Sequence, residues 1–314
     1  MKRYIFGILA VFLIISLSLC KKTKEKKYKV VSDDFLRART MLDKNGAPTG
    51  HLQELLQLFG LPHEGTLESV VDVTQKAWLR RPGSEIWEIS EMHEDKRDAV
   101  MPIFEKLDCL KEVSPARPRY DYAVVFGALV TRVRSRFAFL VEQWKRGIRF
   151  DEIVFLGGAR PLDPELESTE RLLDQNNGSL QFKKDWQLIG ELPKTEYEMM
   201  KMVFDQADLP EDFLEHVRIT FVDAPMRTRP DGTLGRPNTG DTVRTWLEMN
   251  PQPGTCLFSS NQPYVGYQDS VARTLMPKTF AIETVGAKAS DGLLVAAYLD
   301  CITRWLYQER KRRS

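Results

Sequence analysis

From residue 115 onward the chain alternates short apolar runs with segments of helical period, and that alternation leaves few folds open. The runs are Tyr122–Phe126, Glu152–Leu156, Val217–Val222, Thr255–Phe258 and Thr279–Glu283, rich in β-branched or aromatic residues. Unbroken apolarity of this kind, without a two-residue alternation, marks strands buried on both faces. Between them, Val133, Phe137, Leu140, Val141 and Trp144 recur at helical spacing, as do Leu294, Tyr298, Cys301 and Trp305. The expectation is an α/β fold: a mostly parallel five-stranded sheet with right-handed crossovers and helices on both faces. A chain of 314 residues can bury that core and a smaller helical piece besides.

The smaller piece precedes the boundary marked by Pro115 and Pro118. Residues 33–114 read as a helical extension in short lengths, carrying Phe35, Leu36, Met41 and Leu42, then Leu52, Leu55, Leu56 and Phe59. Leu67, Val70, Val71 and Val73 belong to a third length, and Val100, Ile103, Phe104 and Leu107 to a fourth. Gly60-Leu61-Pro62 and Arg81-Pro82-Gly83 break the pattern. No catalytic constellation shows in this part. Residues 21–32 read as a linker, and 115–314 as the α/β domain.

Residues 1–20 have the form of a secretion or anchoring signal. Lys2 and Arg3 precede an apolar stretch from Tyr4 to Leu19, short for a membrane span but suited to a signal sequence. Leu17-Ser18-Leu19-Cys20 looks like a bacterial lipobox, which makes Cys20 a candidate for lipidation. The lysine run after Cys20 would serve as a tether after cleavage, or would hold an uncleaved anchor by the positive-inside rule. Attachment to a membrane is expected in either mode, on the bacterial envelope and facing the periplasm.

Charge is uneven. Residues 1–30 hold eight of the 45 basic residues and one of the 44 acidic ones, so they carry +7 against −6 for the rest. A mildly acidic body argues against nucleic acid as a partner. The terminal Arg310-Lys311-Arg312-Arg313 reads as a frayed, solvated helix end. Beyond Cys20, the cysteines Cys109, Cys256 and Cys301 have no CxxC spacing, and His51, His63, His93 and His216 lack ligand spacing. No metal site is expected, and no cofactor can be named.

In an open parallel sheet, ligands bind outside the carboxyl ends of the strands. The first run is followed by Gly127 and then by Arg132, Arg134 and Arg136, which cannot all face one site. At least one of the three is expected on a solvated face or in surface ion pairs. Gly157-Gly158-Ala159-Arg160 follows the second run, and Ser259-Ser260-Asn261-Gln262-Pro263-Tyr264 the fourth. The third run leads into a long loop with Arg227, Arg229 and Arg236, then Asn238, Thr239 and Asp241. Asn238 and Thr239 are suited to opening a helix, whose first N–H groups and positive dipole end would face an anion. Backbone N–H groups at the glycines and guanidinium forks from the arginines add to such a pocket. Glu196, after Thr195, and Asp241 are the candidates for handling protons.

A family resemblance appears on these residues. Tyr122-Ala-Val-Val-Phe-Gly-Ala, an arginine-led helix, Ile153-Val-Phe-Leu-Gly-Gly, Thr195-Glu196, Asn238-Thr239 and Leu257-Phe-Ser-Ser follow in that order. This series resembles the YdcF/SanA/ElyC-like family across residues 119–287. The resemblance implies a Rossmann-like fold and a membrane-anchored envelope protein, in a family some of whose members are tied to cell-wall precursors or the envelope barrier. It also implies pocket roles for Gly127, Arg136, Gly157, Gly158, Glu196, Asn238, Thr239, Ser259 and Ser260. Where the family follows Thr-Ser with histidine and arginine, this chain has Asn261-Gln262-Pro263-Tyr264. Where Asn-Thr continues to Glu-Asn, it has Asp241-Thr242. The missing histidine removes the obvious general acid or base, so ligand binding is implied further than catalysis.

The expected ligand is an anionic or phosphorylated small molecule, held by Arg132, Arg136, Arg160 and Arg236 with the loop backbones and Ser259 and Ser260. Two alternatives stay open: a nucleotide or S-adenosylmethionine binder, and a non-catalytic interaction protein with a vestigial pocket. The first loop, Phe126-Gly127-Ala128-Leu129-Val130, has a single glycine and lacks the GxGxxG fingerprint of dinucleotide binding.

Overall fold

The computed structural model describes residues 37–81, 84, 89–229 and 231–314. Residues 1–20, read from sequence as a signal, with Cys20, and residues 21–32, read as a linker, lie outside the described residues. A 3-10 turn at Arg37–Thr40 leads to α1 (Gly50–Leu58), α2 (Leu67–Trp78) and α3 (Arg97–Lys106). The α/β part follows in the order β1 (Arg119–Phe126), α4 (Val130–Lys145), β2 (Arg149–Gly158), α5 (Thr169–Leu173), α6 (Glu196–Gln206), α7 (Glu211–His216) and β3 (Arg218–Ala224). A two-residue hairpin, β4 (Arg227–Thr228) and β5 (Leu234–Gly235), precedes α8 (Thr239–Glu248). The chain closes with β6 (Thr255–Asn261), α9 (Val265–Leu275), β7 (Ala281–Ala287) and α10 (Val295–Arg313).

The main sheet runs β3-β2-β1-β6-β7 with every pair parallel, a Rossmann-like order. Its connections reverse direction between β1 and β6, which opens a crevice at the carboxyl ends of those two strands. Each strand feeds both faces. Ala123, Val125, Ile153 and Phe155 pack into a core with α4 and α6, while Val124, Phe126, Val154 and Leu156 pack with Val243 and Trp246 of α8. This is the reason the strands read as unbroken apolar runs.

The strands extend further than those runs. Gly157 and Gly158 are the last residues of β2, paired with Asp223 and Ala224, rather than part of the loop after the run. Ser259, Ser260 and Asn261 likewise pair with Val285, Gly286 and Ala287 inside β6. The last strand lies at Ala281–Ala287, later than the Thr279–Glu283 run suggested. Small and polar residues look like loop in a sequence, yet neighbouring strands supply them with a ladder.

The helical extension packs on α10. Leu55, Val70, Val71, Ile103 and Phe104 share a core with Tyr298, Leu299, Ile302 and Trp305. The basic chain end is also ordered onto this helix. Arg312 Nη1 lies 2.7 Å from the Glu309 carboxylate and its side chain is 6% exposed, so the frayed end expected from sequence is replaced by a buried ion pair. Glu309 accepts a second hydrogen bond from Ser270 of α9, which explains why a carboxylate is tolerated there.

Candidate functional site

A cavity of about 240 Å³ opens at the crevice between β1 and β6. Gly127, Arg132, Arg136, Arg160, Glu196, Arg236, Asn238 and Thr239 all line it, as the strand-end rule required. Six guanidiniums reach the cavity wall against two carboxylates.

Helix geometry sorts the three arginines of α4. Residues four apart share a face, whereas those two apart diverge by about 160°. Arg132 and Arg136 therefore reach the cavity together and Arg134 turns away. Arg134 is neither solvated nor in a surface ion pair, contrary to expectation. It is fully buried and donates to the carbonyls of Arg171, Leu172, Asp174 and Asn177 and to Gln206 Oε1. It ties the chain around α5 to α4 and α6.

Arg136 forms the cavity floor at 3% exposure. Its Nη1 donates to the carbonyls of Phe126 (2.9 Å) and Gly127 (2.8 Å), and its Nε to Asn261 Oδ1 (3.1 Å). All three acceptors are neutral. Nη2 makes no hydrogen bond to a described residue, and no ion pair closer than 4 Å joins Arg136 to a described carboxylate. Burial, and then the neighbouring Arg132, push its pKa down to about 9, so it keeps its charge at neutral pH. Arg132 stacks over the Tyr264 ring at 5.0 Å.

Glu196 is the first residue of α6, after a capping box made by Thr195 and Glu198. It is 6% exposed and lies against the cavity. Arg160 Nη2 stands 3.6 Å from its Oε1, beyond hydrogen-bond distance. Burial raises its pKa to about 7 with help from Glu167, while Arg160, Arg236 and Arg136 oppose the shift. A carboxyl that exchanges its proton near neutrality can act as acid or base.

Arg160 is committed elsewhere. Both its terminal nitrogens bond Glu167, at 2.7 and 3.1 Å, and Glu167 is itself buried and holds the N–H groups of Val130 and Asp163. Arg160 is thus paired with a buried carboxylate, whereas the hydrogen-bond acceptors of Arg136 are all neutral.

The junction before α8 also differs from the expectation. Asn238 Oδ1 accepts from Gly240 N (2.8 Å) and Asp241 N (3.2 Å), and Asp241 Oδ2 accepts from Asn238 N (2.8 Å). This reciprocal cap occupies the N–H groups of Asn238, Gly240 and Asp241, three of those at the junction expected to meet a ligand. Asp241 also pairs with Arg227 (2.9 Å) and Arg244 (3.0 Å) and does not line the cavity, which removes it as a catalytic group. Arg229 packs over Gly235 in the hairpin, so Arg236 alone of the three loop arginines reaches the cavity.

Four other candidates also fall outside the cavity lining. A Cβ at Gly157 would meet Met200 Sδ at 2.9 Å, and one at Gly158 would meet Pro237 Cγ at 2.5 Å. These glycines admit α6 and the loop before α8 against the sheet. Ser259 Oγ bonds the Arg136 carbonyl, and Ser260 Oγ bonds Gln268, both fully buried.

The far wall was not foreseen. Arg80, just after α2, and Asp300 and Arg304 of α10 line the cavity with Tyr264 and Tyr267. The helical extension, read as lacking site residues, thus contributes one. Among the described residues no group of three or more histidines, cysteines or carboxylates is set to hold a metal ion.

The fold and site together define a Rossmann-like α/β protein with an arginine-rich crevice at its topological switch point. Comparison with family models, curated proteins and solved structures gives no match to this chain.

Proposed function

We propose that the crevice binds a compact anionic molecule, a phosphate or phosphate ester by preference, and that Glu196 exchanges a proton with it. One observation carries this reading. Arg136 is a buried cation whose protein partners are all neutral, with Nη2 left for a ligand at the cavity wall. A buried charge without a counter-charge is costly, and an incoming anion repays that cost. Asn238, Thr239 and Arg236 rim the cavity and would orient the anion.

Size favours this over the nucleotide or S-adenosylmethionine alternative. The cavity, about 240 Å³, falls short of the roughly 300–1,000 Å³ usual for larger ligands. The resemblance to the YdcF/SanA/ElyC-like family, with membrane attachment through residues 1–20 and lipidation at Cys20, extends the proposal to a role at the bacterial envelope. That extension rests on the sequence motifs alone.

Calorimetric titration with inorganic phosphate tests the reading. Wild-type protein binds, and Arg136→Gln weakens binding by about 10- to 100-fold, the usual value of a hydrogen bond to a charged group. Equal affinity in a folded Arg136→Gln variant would overturn it.

A further inference from the structure

The cavity has two cationic poles. At the strand-end pole, Arg136, Arg160 and Arg236 act on Glu196. At the other, Arg80 and Arg304 share one carboxylate, Asp300, which is 1% exposed. Asp300 Oδ1 accepts from the Arg80 backbone N–H at 3.0 Å. Its Oδ2 takes Arg80 Nη1 at 3.0 Å and Arg304 Nε at 2.9 Å. One acid fixes two guanidiniums and leaves that pole one positive charge in surplus. Nη2 of Arg80 and both terminal nitrogens of Arg304 make no hydrogen bond to a described residue.

A tie between the helical extension and α10 would need one arginine, and would gain nothing from opening onto the cavity. Here both arginines line it, and Tyr264 and Tyr267 line the same cavity. Tyr267 feels Arg304 and Arg80, while Tyr264 lies under Arg132 of the first pole. The tyrosines offer an apolar, hydrogen-bonding surface suited to the body of a ligand whose ends are charged.

Building on the anion-binding reading, we infer that the ligand of this cavity carries two acidic groups. One sits on Arg136, and the second is clasped by the Arg80–Asp300–Arg304 cluster. The class is that of small bisphosphates and diphosphates. Arg304 and Arg80 select for the second group; they are binding residues and take no part in proton transfer.

The test is a calorimetric series with methylphosphonate and with methylene-, propylene- and pentylene-diphosphonate, in wild-type protein and in Arg304→Gln. The Arg304 side chain is 31% exposed, so its replacement spares the core. At least one diphosphonate binds wild-type protein about tenfold tighter than methylphosphonate, the scale of one added charge-assisted contact. In Arg304→Gln that advantage falls below about threefold. A series with no diphosphonate advantage, or an advantage that survives in Arg304→Gln, overturns the two-pole inference and leaves the anion site standing. Failure of every phosphonate to bind overturns both.

Discussion

Gly127 lacks a side chain at the point where the Glu196 carboxylate crosses the end of β1. A Cβ at that position would stand 2.8 Å from Glu196 Oε1 and 2.8 Å from the Leu156 carbonyl oxygen. The second neighbour is backbone and cannot move aside. Gly127→Ala is therefore expected to destabilise the protein by about 1–3 kcal/mol, the cost of overpacking a filled interior. Thermal unfolding checks this, and an unchanged midpoint would show that the strand end has slack.

Glu196 gives stability a pH dependence of unusual sign. Its folded pKa, about 7, lies above the ordinary 4.5, so between those values the folded chain holds a proton that the unfolded chain has lost. The contribution is complete below the unfolded pKa and is lost as pH rises to the folded one. Its size is at most about 3 kcal/mol. Glu196→Gln, which cannot ionise, should flatten unfolding free energy across that window and gain on wild type above pH 7. A wild-type slope that persists in the variant would assign the titration to another group. Sulfate, whose charge is constant over this range, should bind more weakly as pH rises through 7, because the ionised carboxylate repels it.

Arg134 is a strut by the same helix geometry that turns Arg136 to the cavity. Arg134→Met leaves several carbonyls and Gln206 without a donor, and should cost about 3 kcal/mol or more. Phosphate affinity in the folded variant should stay within about twofold, since no atom of Arg134 lines the cavity. A binding loss as large as that of Arg136→Gln would contradict this division of labour.

Asp241 caps α8 and stands apart from the chemistry. Asp241→Asn should lower stability by about 1 kcal/mol through the capping box and its two ion pairs. Any catalytic or binding activity of the cavity should survive it. An activity abolished in Asp241→Asn but kept in Glu196→Gln would make Asp241, and not Glu196, the proton-exchanging group.

The sheet was legible because burial on both faces writes itself as unbroken apolar runs. Its ends were not, since Gly157-Gly158 and Ser259–Asn261 resemble loop until the strands beside them are known. For the site, Arg136, Glu196 and Arg236 could be read from their position after successive strands. Arg80 and Asp300 could not, because 220 residues separate them and both sit in segments whose apolar period speaks only of packing. The exclusion of Asp241 and the capture of Arg160 by Glu167 depend on hydrogen bonds that spacing does not encode.

The proposed function requires an anion on Arg136 Nη2. Crystals grown with tungstate reveal whether one binds there, because tungsten is located by its own anomalous scattering. Tungstate oxygens are expected within hydrogen-bond distance of Arg136 Nη2, beside the Glu196 carboxyl. A cavity that stays empty at saturating tungstate, or an anion bound without contact to Arg136, would contradict that requirement.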